Sequence, residues 1–543
     1  MLSLKIDGAT VELPPDFSIT LNLKSPIFGE TGSYSYPFKL PNTARNAIRT
    51  GFRHRISNTA DIYHDFAGTY LWSGISFFSG TVKLKVLTSD YFDGYMLEGN
   101  GNFNYKRKNS FLEDCDYGEL VFTGETLKMD FINACKGKVY PERDISFPQI
   151  LNKTYFDELP NDPALLYFNF YLQDTMYYFT LLNNRSVIVP MLYVRYVLKI
   201  VFQHIGYTLD DTFFTSDVDF NSLVLYNSVD CNTDVTGFFQ YDKLRLALNY
   251  HVPRMSMNDF FTALESFFNI RFFVNDATKT VKLISVDKIV KQTQYKEFSK
   301  QIISISTELG DQITGVRFTM GMDSDDEFYA TKKIYEETFF KRLKGSVQSI
   351  SDLKLWPRSD YFDIRWVFDE KIFYILDAPN RWIRMPDAFL IGLFSQYAYR
   401  NDNLKIETKC STLMHQNTVP YNCVVGNAMT SWKDVTPKVF FTYYQDNGYA
   451  NQKQVARNTT DSNSLYYGAE NGLFNKHYKA YVDFIISTKL VKIVKQMEFS
   501  ELKDFDFSKK YMIGGVKYLV KSIQVVLKKD RIMPATLECY ICN

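Results

Sequence analysis

The chain has 543 residues, 45% of them hydrophobic and 23% charged, enough to build several buried cores. Its 62 Lys and Arg stand against 61 Asp and Glu, so a formal net charge of +1 leaves no global field drawing it to nucleic acid or anionic membrane. With 26 Gly and 17 Pro it is neither fibrous nor low-complexity.

Aromatic content is high: 46 Phe, 38 Tyr and 5 Trp make 16%, and tyrosine suits interfaces and half-exposed sheet faces. The start, Met-Leu-Ser-Leu-Lys-Ile-Asp-Gly, reads as a charged strand without an apolar h-region, and no run of eighteen apolar residues occurs. The expectation is a soluble chain with no stable membrane insertion. Seven cysteines (115, 135, 231, 410, 423, 539, 542), odd in number and scattered, suit free thiols in a reducing cytoplasm.

Residues 1–130 read as a β-domain. Leu2–Ile6 and Ser18–Leu23 alternate, and Thr69–Val86 fits strands about turns at Ser73-Gly74 and Ser79-Gly80. In Ser33-Tyr-Ser-Tyr-Pro-Phe-Lys-Leu-Pro41 the alternation puts Tyr34, Tyr36, Phe38 and Leu40 on one face. Pro37 and Pro41 block ladder donors, which predicts an edge strand or extended arm. Asn42 or Thr43 then caps a short helix ending at Gly51.

Residues 131–240 read as a linker and a first α+β unit. Pro190 marks a helix start, Met191–Ile205 an apolar run, Gly206 a C-cap and Tyr207–Leu209 a short strand. Residues 241–300 hold the clearest supersecondary unit. Ser256 is the N-cap, Asp259 lies in the first turn, and Met257, Phe260, Phe261, Leu264, Phe267 and Phe268 form one apolar stripe. Asn269 stops that helix, and Ile270–Val274 and Thr280–Val286 flank a polar tip, Asn275–Lys279.

Residues 301–400 begin a second β-domain, with strands at Ile313–Met320 and Lys371–Leu376. A polar, loop-rich insertion at 401–471 surrounds Val439–Tyr444. Residues 472–543 complete the second β-domain: Val491, Ile493, Met497 and Phe499 share a face, and Gly515–Leu527 with Ala535–Ile541 can close a barrel.

Motifs for chemistry are missing: no HExxH, P-loop, dinucleotide fingerprint or GxSxG occurs. Gly99-Asn-Gly101 lacks a third glycine and a following helix, so it reads as a hairpin turn. Cys539-Tyr-Ile-Cys542 has metal spacing, but on a strand i and i+3 face opposite sides and no second ligand pair is near, so both read as buried thiols. Asp323-Ser-Asp-Asp-Glu327 departs from calcium-loop spacing and reads as a solvated tip. Six histidines (54, 64, 204, 251, 415, 477) are too dispersed for a visible triad or metal site. The expectation is therefore no enzyme, no catalytic residue, no cofactor and no metal, with paired carboxylates for glycoside cleavage left open.

One local charge stands out. Arg45, Arg49, Arg53, His54 and Arg55 fall in a window from Thr31 to Ala60 that has no acidic residue. Arginine forks suit carboxylate or phosphate, so docking onto an acidic protein surface competes with a solvated or intramolecularly paired face. The candidate subunit-interface residues are Tyr34, Tyr36, Phe38, Arg45, Arg49, Arg53 and Arg55.

Ser33–Pro41 running into Asn42-Thr-Ala-Arg-Asn46, the helix and hairpin over 257–286, and the runs Gly472–Lys476, Leu502–Phe507 and Gly515–Tyr518 resemble tail proteins encoded by phages and prophages of gut Bacteroidetes. The resemblance covers both ends and the middle of the chain. It implies a baseplate hub or tail-tip protein: a β-rich multidomain α+β fold with two tube-like β-barrel or sandwich domains and smaller helix-plus-hairpin α+β domains between and beside them. It further implies a homotrimer about the tail axis, assembled in the bacterial cytoplasm. Its expected partners are a tail tube or distal tail protein, a tape measure protein and a spike or fibre protein, with DNA only in transit through the lumen during genome ejection. Near-neutral charge agrees, because each neutralised phosphate would add affinity that resists transit. The alternative is a polysaccharide-binding or polysaccharide-degrading tail protein, with Trp356, Trp366, Trp382 and Trp432 stacking on sugars.

Overall fold

The structure is a computed structural model. It describes residues 1–151, 189–227, 244–307 and 471–542 apart from 30–31, 56–63, 109, 123–124, 149 and 254; elsewhere it describes short strands, Asn169 and Leu465. The fold is β-rich α+β, a large curled half-barrel sheet with smaller sheets and helices.

The large sheet has fourteen strands. Its main path runs Ala9–Thr10, Leu2–Ile6, Phe66–Trp72, Ile75–Leu87, Tyr91–Glu98, Ser33–Ser35, Ser18–Lys24, Val516–Lys528, Ala535–Cys542, Leu490–Lys495 and Ile302–Thr307. Phe38–Pro41 pairs alongside Tyr91–Glu98, and Lys510–Ile513 bridges Val516–Lys528 to Tyr295–Glu297.

The two ends of the chain therefore share one sheet, where the sequence reading assigns 1–130 and 472–543 to separate β-domains. The seam between them is the antiparallel ladder from Ser18↔Lys528 to Lys24↔Ser522. Its pairs Ile19↔Leu527, Leu21↔Val525 and Leu23↔Ile523 are all buried. Alternation tells which face of each strand is dry, but not which strand lies beside it. The expected barrel closure is absent too: among the described residues the path ends at two open edges, Ala9–Thr10 and Ile302–Thr307.

Glycine explains two local details. Ser73 and Gly74 both take positive φ, 50° and 84°, and form the tight turn of the Phe66–Trp72 and Ile75–Leu87 hairpin. Ser79-Gly80 is no turn but mid-strand. A Cβ on Gly80 would lie 1.8 Å from the Leu97 carbonyl oxygen, so only glycine lets the strands approach.

One face of the sheet is packed by Leu4, Ile6, Leu21, Phe38, Val82, Phe92, Ile493, Ile523 and Leu537, a core continuous across the seam. A second core is built on helix Met257–Phe268. The Ser256 hydroxyl accepts from the Asp259 amide at 3.1 Å, Asn269 in the left-handed region (φ 45°) stops the helix, and all six residues of the expected stripe are buried. Each such side chain contributes roughly 1.5–3 kcal/mol by leaving water.

The two helix-plus-strand units meet in this core. Thr208–Asp210 pairs in parallel with Thr280–Ser285, which pairs antiparallel with Ile270–Asn275. Phe202 stacks on Phe261 at 5.2 Å and Phe261 meets Phe272 at 4.8 Å. The first unit begins later than expected. Met191–Tyr193 is a fully buried strand between Ile145–Ser146 and Leu223–Asn227, and the helix is Val194–His204, with Gly206 (φ 82°) beyond its end. A run buried on every side has no period that separates strand from helix.

Among the described residues no helix is long and apolar enough to cross a membrane.

Candidate functional site

The first half of the Tyr-Pro segment is stitched into the sheet, whereas the second half, Phe38–Pro41, pairs only with Tyr91–Glu98 among the described residues and lies at an edge, as the prolines predict. Ser33–Ser35 lies between Tyr91–Glu98 and Ser18–Lys24, with Tyr34 opposite both Leu97 and Asn22. The prolines are accommodated because Pro37 falls between two short strands, where no ladder donor is required, and Pro41 ends the second. That break also turns the face over. Tyr34 and Tyr36 point away from the core with rings 5.6 Å apart, whereas Phe38 and Leu40 point into it. Phe38, expected on the docking face, is instead packed on Phe17 and Tyr70 in the core.

The arginines form a looser group. Helix Ala44–Arg49 is capped by the Thr43 hydroxyl. It is anchored by buried Asn46, which accepts from the Glu12 amide and donates to the Glu12 and Pro41 carbonyls. Its outer face carries Arg45 and Arg49, both exposed. Arg53 lies 4.8 Å over the Phe66 ring and Arg55 4.4 Å over Phe52. Of the expected interface residues, Tyr36, Arg45 and Arg49 are exposed and Tyr34 is half-buried, while Arg53 and Arg55 lie over rings of the same chain.

The face of the sheet opposite its core carries an uncharged row crossing eight strands. Thr81, Leu97, Tyr34, Asn22, Gln524, Thr536, Val494 and Ser304 are consecutive cross-strand partners. Each is half-buried or exposed. Beside it, a depression of about 310 Å³ is lined by Lys24, Lys492, Lys521, Glu538, Phe28 and small or neutral polar residues. Burial of Glu538 opposes its charge, but Lys521 at 3.2 Å, with Ser522 and Lys492, holds its carboxyl below the usual range. At the open edge, Ile303 and Ile305 are exposed, and Ile305 sits opposite buried Ile493.

A polar joint that the sequence reading missed ties the sheet to the second core. Gly99-Asn-Gly101 is followed by a helix, Asn100–Lys108, against the expectation of a plain hairpin turn. The hairpin tip reaches over to its start, where Asp276, read from sequence as part of a polar tip, is buried. Its carboxylate accepts from the Gly99 amide at 2.7 Å, Asn102 Nδ2 at 3.0 Å, Tyr207 Oη at 2.7 Å and Lys279 Nζ at 2.9 Å. Asn100 donates to the Phe272 carbonyl. Sequence carries one trace of this: Asp276 and Gly99 each follow a strand end, but nothing in spacing brings 99 to 276.

The remaining candidates are chemically quiet. Cys539 packs in the sheet core and Cys542 in the helical core, so the two thiols lie on opposite sides of one strand, as the i, i+3 spacing predicts. Burial raises both, Cys542 to about 11, and likewise Cys115 and Cys135 to about 11. Among the described residues no group of three or more His, Cys, Asp or Glu could hold a metal ion. His251 and His477 are buried, and burial lowers each to about 3. The acidic run Asp323–Glu327, Cys231, Cys410, Cys423, His415, Trp356 and Trp432 lie outside the described residues, as do the side chains of Trp366 and Trp382.

No family model matches the chain, and no curated protein matches it. Solved structures do. The 43 kDa tail protein of prophage MuSo2 from Shewanella oneidensis matches with 9% identity and a TM-score of 0.32, covering 99% of this chain and 95% of that one. The tail protein from Neisseria meningitidis MC58 matches with 8% identity and a TM-score of 0.31, covering 99% and 95%. Prophage tail protein gp18 from Listeria monocytogenes EGD-e matches with 6% identity and a TM-score of 0.32, covering 99% and 94%. At such scores these likenesses carry no weight for fold or function.

Proposed function

We propose that this chain is a structural protein of a phage or prophage tail, a hub or tail-tip subunit that acts by assembling rather than by turning over a substrate. The observation that carries the reading is the open, curled sheet. It joins strands from both ends of the chain, leaves both ends of its main path unpaired among the described residues, and carries exposed Ile303 and Ile305 on its last strand. Unpaired edges with exposed isoleucines invite another chain, and closure into a ring removes them. The lobes on either side of the seam, one from residues 2–98 and one from the C-terminal strands, would act as two β-units per subunit. Three subunits would then present six, which suits a three-fold hub meeting a six-fold tube. The uncharged row would keep phosphates off part of this face, with Lys24, Lys492 and Lys521 standing beside it. A tail tube or distal tail protein, a tape measure protein and a spike or fibre are the expected neighbours, and the gut Bacteroidetes lineage is carried by the sequence resemblance alone.

The test is electron microscopy of the purified protein and of tail ends containing it. A three-fold ring with this sheet along the axis supports the reading. A stable monomer that releases reducing ends from bacterial polysaccharide overturns it in favour of a tail-associated glycan enzyme.

A further inference from the structure

The uncharged row on the outer face of the sheet has a charged neighbour. Two residues further along the same strands, Lys24, Ser522, Glu538, Lys492 and Ser306 are again consecutive cross-strand partners. Lys521 joins them through a bulge, being the residue skipped between the pairs Val520↔Cys539 and Ser522↔Glu538. Regular alternation from Ser522 would send its side chain into the core. The bulge turns it to the outer face instead, where Lys521 Nζ lies 3.2 Å from Glu538 Oε2 and the Ser522 hydroxyl donates to the same oxygen at 3.1 Å.

These groups line the depression of about 310 Å³, in which three lysines stand against one glutamate. All four are half-buried, so the lysine stems lie along the sheet while their ammonium groups stay wet. One wall is Phe28, whose ring meets Tyr540 at 4.7 Å and Phe484 at 6.4 Å. The side-chain amides of Asn22 and Gln524 add donors and acceptors of the kind that bond a peptide backbone.

We propose that this depression docks an extended acidic segment of a neighbouring protein, Lys24 and Lys492 each taking a carboxylate and the Lys521–Glu538 pair taking a neutral polar residue between them. Charge complementarity and spacing both point to such a segment. Lys24 and Lys492 are separated by three strand spacings, roughly 14 Å at ~4.8 Å each, and two acidic residues about four positions apart on an extended chain span the same distance. The central carboxylate disfavours nucleic acid. Against its burial, Lys521, Ser522 and Lys492 hold Glu538 below the usual carboxylate range, so it stays charged and repels a strand that carries a phosphate on every nucleotide. The site rests on this row of the sheet and is independent of the tail reading.

The experiment is fluorescence polarisation of the full chain with a short end-capped peptide carrying a neutral dye and two glutamates about four positions apart in a serine and glutamine background. Binding at low salt that weakens as salt rises is expected, a readout that needs no variant. Replacing both glutamates by glutamine is expected to abolish binding, and setting them side by side to weaken it. Lys24→Gln and Lys492→Gln are each expected to weaken binding about fivefold with the melting temperature unchanged. Absence of binding at low salt, equal binding of the glutamine peptide, or unchanged affinity in both lysine variants overturns the proposal. Displacement of the peptide by an equal concentration of single-stranded oligothymidylate overturns it in favour of a nucleic-acid site.

Discussion

Asp276 shows how much one side chain can hold. A buried carboxylate with four donors stands at the point where three segments meet, and its loss would strand the Tyr207 hydroxyl and the Gly99 amide without an acceptor and leave the Asn102 amide only its 3.3 Å bond to the Tyr207 oxygen. Asp276→Ala is expected to destabilise the chain by on the order of 3 kcal/mol in denaturant titration; a cost near zero would mean that water replaces the carboxylate. Histidine supplies the acid limit. His251 and His477, lowered by burial to about 3 from 6.5, are neutral in the fold and must charge on unfolding. Their stabilising contribution is present above 6.5 and is lost as pH falls toward 3, at up to about 1.4 kcal/mol per pH unit for each ring. Thermal melts between pH 7 and 4 are expected to fall, and His251→Gln and His477→Gln to flatten that fall.

Among the elements, helix Met257–Phe268 was legible because each local signal agreed: cap, stripe and left-handed stop all came out where the sequence put them. Ser256→Ala is expected to cost about 1 kcal/mol through the lost bond to the Asp259 amide, read by denaturant midpoint. Helix Ala44–Arg49 was legible for the same reason, and its Arg45 and Arg49 remain the exposed charge to test. Reversing both to glutamate is expected to weaken self-association by sedimentation analysis at low salt while leaving the melting temperature unchanged. Unchanged association at low and moderate salt would remove this helix from any interface. The Tyr-Pro segment was legible only in its second half. The edge position holds for Phe38–Pro41, but the chain stops one strand at Ser35, inside the sheet, and starts another at Phe38. The break sends Tyr36 outward and Phe38 inward, a reversal that strict alternation cannot foresee. The Asp276 joint was invisible for a different reason: its partners are 174 residues apart at Asn102, and hydrogen bonds over such distance leave no local pattern.

At the scale of the molecule, strand Ala535–Cys542 is a partition. Its Leu537 and Cys539 complete the sheet core and its Cys542 enters the helical one. Thiol reagents are therefore expected to leave Cys539 and Cys542 unmodified in the folded chain and to modify them in denaturant, with no disulfide joining them under oxidation. Rapid labelling of either in native buffer would contradict the partition. The seam adds a temporal consequence. Strand Ser18–Lys24 is synthesised early, yet its partner Val516–Lys528 emerges some five hundred residues later, roughly half a minute or more at bacterial elongation speeds. During that interval the apolar row Ile19, Leu21 and Leu23 has no mate on that side, and both cores lack a wall. A nascent chain cut short before this point would complete neither core, so ribosomes that stall release material fit for proteolysis.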